Sequence, residues 1–207
     1  MQSIDVIFSI GILIFSVVAH EVSHGYAALM LGDPTARLSG RLTLNPSKHI
    51  DPFGSVILPL LLLLLSGGKY VFGWAKPVPF NPYNLRGGKW GPAIVAAAGP
   101  VANLFLASFF GILVFRILPL FVFLPFTLLQ ITQIIVLTNI SLAVFNLLPV
   151  PPLDGSKVFF ALLPYRYLYV QHFLERYGML LIFLLIFVVG GIVNPIISVL
   201  YLAIVGG

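Results

Sequence analysis

The chain has 207 residues, of which 59% are hydrophobic and only 8% charged, and its mean hydropathy is +1.08. That composition excludes a soluble globular domain of any size and makes the chain a polytopic membrane protein. The net charge of +5 comes from few groups, with no basic run interleaved with aromatics, which argues against a nucleic-acid face; the absence of cysteine excludes disulfides and thiolate metal ligands.

The first apolar run, residues 6–31, is long enough to cross a bilayer. Residues 1–5 lack the basic region of a signal peptide, so the run is expected to be retained. Inside it, residues 20–24 read HEVSH. An α-helix turns about 100° per residue, which sets His20 and His24 on one face, about 6 Å apart along the axis, where two imidazoles can grip one metal ion. Glu21, beside them, is placed to act as general base on a metal-bound water, the physical reason for the HExxH pattern. Chance is a poor explanation, because Glu21 and Glu175 are the only glutamates and the chain has just 4 histidines. Ionisable groups at membrane depth cost roughly 3 kcal/mol or more and mark functional sites.

After the first run, residues 37–44 (RLSGRLTL) alternate like a short strand pair with Gly40 at the turn. Residues 53–67 are apolar but too short for a full span and contain Pro59, so a re-entrant or partial insertion is expected. The proline-rich stretch 73–84 (GWAKPVPFNPYN) predicts an extended loop. Apolar segments at 91–118 and 120–148 predict two crossings. The second runs into NLLPVPPLDG (146–155), where prolines and a glycine break the helix. Residues 155–177 suit an interfacial helix, and 178–205 is interrupted by Gly190, Gly191, Asn194 and Pro195, as one span plus a half-helix would be.

A catalytic metal held by two histidines needs a third protein ligand. Asp5, Asp33, Asp51 and Glu175 lie at helix ends, turns or the interface, whereas Asp154 points back towards the bundle from the broken helix; the alternative is a plain membrane-exit turn. Asn146 precedes it as a donor to a developing oxyanion or as interhelical glue, and Asn103 reads as a bridge between helices. His49 and His172 are assigned to loop and interface. If 53–67 does not cross, Asp154 returns to the side of the membrane where the histidines lie. Arg37, Arg41, Lys48, Lys69, Lys76, Arg86, Lys89, Lys157, Arg166 and Arg176 then share that side and Arg116 faces the other, making the histidine side cytoplasmic.

HExxH in the first core helix, with NxxPxxPxDG at the end of a later one, resembles the site-2 protease family of intramembrane zinc metalloproteases. AGPVAN (98–103) is similar to that family's small-residue helix motif, and GRLTLNPSKHIDPFG (40–54) and FGWAKPVPFNP (72–82) look like its compact members without a PDZ domain. The resemblance covers about residues 15–160. It implies one Zn2+ per chain held by His20, His24 and Asp154, with Glu21 as acid/base and Asn146 binding the scissile carbonyl. Ligand type alone also admits another divalent ion.

The expected fold is therefore an all-α polytopic membrane bundle of about four to six transmembrane helices, with a short membrane-associated β-hairpin and a re-entrant segment. It forms a single transmembrane peptidase domain over 1–207, with its catalytic core at about 6–160 and C-terminal helices at about 161–207. The expected partners are the lipid bilayer and membrane-spanning protein substrates, whose helices must unwind before attack, and residues 37–44 offer a strand to pair with them. The location is an integral membrane protein of the cell membrane, its site near the cytoplasmic face. The competing readings are a metal transporter using the same residues, against which no repeated half is evident, and a scaffold with a structural metal.

Overall fold

The computed structural model describes residues 3–65 and 75–206. Among the described residues the chain forms seven α-helices: α1 (Ser3–Met30), α2 (Thr35–Leu38), α3 (Leu58–Leu65), α4 (Trp90–Ile112), α5 (Phe126–Asn146), α6 (Asp154–Leu162) and α7 (Leu168–Val205). Among the described residues, Phe8–Met30, Trp90–Leu120 and Phe126–Asn146 are long and apolar enough to cross a membrane. Large apolar side chains such as Phe15, Phe105 and Phe109 face outwards, as a lipid solvent allows.

Helix α4 is the hub, packing against α1, α5, α6 and α7. Small residues let its neighbours approach: Ala93, Ala96, Gly99 and Ala107 are all buried. Further along the helix Ala107 joins Val136, Ile140 and Val144 of α5 and Val193 of α7 in the apolar core. Beyond Ile112 a π-turn and a 3-10 turn carry the chain to Leu120.

The interruptions expected in 178–205 do not break the helix, since α7 runs through Pro195 to Val205. A single proline removes one backbone bond, which a packed membrane helix tolerates. Helix α7 meets the bundle at two places. Ten residues into it, Gly178 lies against the main chain of Pro151, in the turn before Asp154. At its end, Arg116 Nε and Nη2 donate to the carbonyls of Ile204 (2.9 Å) and Ala203 (2.6 Å). Arg116 thereby meets the negative end of that helix.

No strand occurs among the described residues, which corrects the expected β-hairpin at 37–44. Thr35–Leu38 is instead a helical turn. Gly40, at φ 65°, follows it as a left-handed cap: its N–H bonds the Arg37 carbonyl and that of Arg41 bonds the Ala36 carbonyl. That is a Schellman ending, so the glycine read as a hairpin turn is a helix stop. The strand expected to receive substrate is therefore absent.

Residues 52–65 form a π-turn (Pro52–Ile57) running into α3, and the last two residues of the segment read as re-entrant lie outside the described residues. So do Gly73, Trp74 and Lys69. From Ala75 the chain is irregular, as expected, up to the 3-10 turn at Pro82–Asn84.

Asp33 ties this irregular chain to the end of α1. Its carboxylate accepts from Thr35 N–H (3.2 Å), Thr35 Oγ1 (2.6 Å), Asn81 N–H (2.6 Å) and Asn84 Nδ2 (3.0 Å), and the residue has no exposed surface. Burial opposes its charge, but these bonds outweigh it and hold the carboxyl below its usual range. A lowered folded pKa stabilises the fold above the unfolded carboxylate value, about 4, and that contribution is lost as pH falls through the folded value. Asp33→Asn turns a donor towards donors and is expected to cost on the order of 2–3 kcal/mol at neutral pH. Melting curves of both proteins should converge below about pH 4; a constant gap across pH would refute this account.

Candidate metal centre

The first helix presents His20 and His24 one turn apart on the face that meets α4, with ring centroids 4.6 Å apart and planes at 89°. Asp154, the first residue of α6, arrives from the opposite end of the sequence. Its Oδ2 lies 3.0 Å from His20 Nε2 and 3.1 Å from His24 Nε2. All three residues are buried. Gly155 permits the approach, since a Cβ there would collide with the carbonyls of Leu147 and Leu148. Lys157, one turn along α6, sets its Nζ 3.8 Å from the other Asp154 oxygen.

The second nitrogen of each ring decides what the first can do. His24 Nδ1 is 2.7 Å from the carbonyl oxygen of Val95, which only accepts, so Nδ1 carries the proton. His20 Nδ1 is 2.6 Å from Asn103 Oδ1 and is likewise the donor. In the neutral imidazoles both Nε2 atoms are then bare, and two nitrogen lone pairs and a carboxylate oxygen converge. One proton shared with Asp154 relieves at most one ring, whereas a divalent cation satisfies all three donors. Two nitrogens and an oxygen with fixed outer partners are a donor set that fits zinc.

Gly99 completes the cradle. A Cβ there would stand 2.6 Å from His20 Cε1, His20 Nε2 and His24 Cε1, so only glycine leaves room for both rings. Glu21 is half-buried beside them, and its donor atom lies within 4.8 Å of those of His20 and His24. Its Oε2 accepts the N–H of Val78 at 2.9 Å. Pro77 and Pro79 flank that amide and bias it to an extended conformation.

The other sequence candidates have hydrogen-bond or ion-pair partners of their own. Asn146 Nδ2 donates to the Leu142 carbonyl of its own helix at 2.9 Å, which uses one of its two amide hydrogens. Asp33 is engaged as described, Asp51 caps the Gly54 N–H at 2.6 Å, and Glu175 meets Gln171 at 2.9 Å. His49 is buried and bonds the Thr43 carbonyl; His172 is exposed beside Glu175. Sequence reasoning missed the direct contacts of Asn103 and Gly99 with the histidines and the Val78 amide. The four-residue spacing of Gly99 and Asn103, one helical turn, was the available signal.

Comparison with known proteins identifies the family. The model of Peptidase family M50 matches residues 122–189. A protein of Bacillus subtilis (strain 168), named Putative zinc metalloprotease YwhC, is 39% identical over 180 residues, 85% of this chain and 78% of that protein. The chain belongs to peptidase family M50, the site-2 protease family. Two mycobacterial relatives of this M50 chain, both named Putative zinc metalloprotease Rip2, align over about half of their own length. The one from Mycolicibacterium smegmatis is 33% identical over 69% of this chain and 52% of its own. The one from Mycobacterium tuberculosis (strain ATCC 25618 / H37Rv) is 31% identical over 68% and 51%. No solved structure matches. As an M50 member in which three helices among the described residues are long and apolar enough to cross a membrane, the protein is a metalloprotease integral to the membrane.

Proposed function

We propose that this protein is an intramembrane zinc endopeptidase that hydrolyses peptide bonds in transmembrane segments of other proteins. The observation that supports it most is the meeting of the His20 and His24 Nε2 atoms with the Asp154 carboxylate between helices of the bundle. In this reading His20, His24 and Asp154 hold one zinc ion, Glu21 is the acid/base and Asn146 binds the scissile carbonyl. The 207 residues work as one peptidase domain with its core at about 6–160.

Zinc, when bound, supplies Lewis acidity that lowers the pKa of a water and polarises the scissile carbonyl. Glu21 accepts a proton from that water as its oxygen bonds to the carbonyl carbon. It later delivers the proton to the amide nitrogen as the C–N bond breaks. The Val78 N–H holds one Glu21 oxygen in place. The amide hydrogen of Asn146 not used by Leu142 is its means of stabilising charge on the carbonyl oxygen. A substrate helix hides its carbonyls in its own hydrogen bonds, so spans weakened by Gly, Asn or Pro are preferred.

The contacts of α7 with Pro151 at Gly178 and with Arg116 at Ile204 favour a fourth crossing between them, from the side of Asp154 to the side of Arg116. The excess of basic residues beside the site favours a cytoplasmic opening.

The test is cleavage of a panel of single-span substrates by protein purified into lipid, before and after zinc is stripped by a chelator. Cleavage is expected to fall at least about 100-fold on stripping and to return with zinc. Cleavage that survives complete removal of metal would refute the reading. Zinc bound without cleavage of any span would favour a transporter or scaffold instead.

A further inference from the structure

Behind His20, on the side away from Asp154, lies a group of buried polar side chains that hydrolysis itself does not use. Asn103 of α4, Asn139 of α5 and Ser16 of α1 are 0%, 1% and 4% exposed. Polar groups at such depth must bond one another, and a half-satisfied group costs more than an apolar one.

The direction of each bond follows from two main-chain carbonyls. Asn103 Nδ2 is 3.2 Å from the Ser16 carbonyl, which only accepts, so this atom is the NH2 and the atom 2.6 Å from His20 Nδ1 is the oxygen. Asn139 Nδ2 is 2.9 Å from the Ile135 carbonyl and 2.9 Å from Ser16 Oγ, so its oxygen is the atom facing Asn103 Nδ2 at 2.7 Å. Neither assignment depends on the ring of His20. The order then runs one way through three helices, from Asn139 to Asn103 to His20, and forces His20 Nδ1 to donate. If the Asn103 amide turned over, its NH2 would meet the N–H of His20, and its oxygen would meet two acceptors, the Ser16 carbonyl and Asn139 Oδ1.

We propose that Asn139, acting through Asn103, is a positioning residue that locks His20 in the tautomer whose Nε2 is bare and open to a metal ion. The inference rests on the reading of His20 as a zinc ligand. Asn139 touches neither histidine nor substrate in this arrangement. Its contribution is the 2.7 Å acceptor that keeps Asn103 from turning.

The test compares wild type with Asn139→Leu, which removes the acceptor at similar volume, and Asn139→Asp, which keeps an acceptor towards Asn103. Zinc affinity is measured by competition with a chromophoric chelator, alongside the melting temperature of each zinc-free protein. Loss of an outer partner of a metal-binding histidine weakens binding by about 10- to 100-fold, so the Leu variant is expected to lose at least about tenfold while the Asp variant stays within about threefold. Equal zinc affinity in all three folded proteins, whatever their melting temperatures, would overturn the proposal, and so would equal losses in Leu and Asp. Should the Leu variant not fold, Asn139→Ala poses the same question and is expected to lose affinity as Leu does. A wild type that binds no zinc would defeat the metal reading itself, a result distinct from these.

Discussion

Gly99→Ala is expected to abolish zinc binding and cleavage while leaving the protein folded. The added Cβ would stand 2.6 Å from atoms of both His20 and His24, where non-bonded carbons prefer about 3.5–4.0 Å. Neither ring can retreat cheaply. His20 is bonded to Asn103 and His24 to the Val95 carbonyl, and both partners lie on α4 with Gly99. Sliding α4 away would stretch the bonds that hold the rings. The helix itself gains from the change, since Ala exceeds Gly by about 0.5–1 kcal/mol inside a helix, so damage confined to the site is the expected signature. Zinc affinity should fall by at least about 100-fold, with the zinc-free melting temperature nearly unchanged. Gly11→Ala, where a Cβ meets nothing within 4 Å, is the matched control. A Gly99→Ala protein with wild-type zinc affinity would show that the rings do not need this space.

What the sequence made legible were features with a short period or a costly residue. The spacing of His20 and His24 on one helical face followed from 3.6 residues per turn, and the scarcity of acids pointed from the first helix to Asp154. Skipping the short segment at 53–67 brought that residue to the histidine side, and in the fold Asp154 does reach both rings. The errors arose where one residue serves two geometries. Gly40 is as suitable for a left-handed helix ending as for a hairpin turn, and only the Ala36 and Arg37 carbonyls decide between them. Pro195 reads as a break in sequence because the packing that tolerates it is contributed by other helices. Asn103 does bridge helices as read, but its bond to His20 was not legible because the orientation of its amide depends on Ser16 and Asn139, which are remote in sequence. Third-partner networks of this kind leave no periodic trace.

Glu21→Gln is expected to separate chemistry from metal binding. Glutamine has nearly the same shape, and its amide oxygen still accepts the Val78 N–H, so the 2.9 Å contact and the packing of 75–81 persist. It cannot take up a proton at neutral pH, and loss of a general acid/base typically costs about 10²–10⁴ in rate. Cleavage of every span in a substrate panel should therefore fall by at least about 100-fold, with zinc content and melting temperature equal to wild type. Cleavage within about tenfold of wild type would remove Glu21 from the proton-transfer role. Loss of zinc together with cleavage would carry a different meaning. The donor atoms of His20, Glu21 and His24 lie within 4.8 Å of one another, close enough for the Glu21 carboxylate to act as a ligand. The Val78 bond argues against that outcome, because it commits one Glu21 oxygen to the main chain at 75–81, whereas Asp154 already faces both rings with a single oxygen.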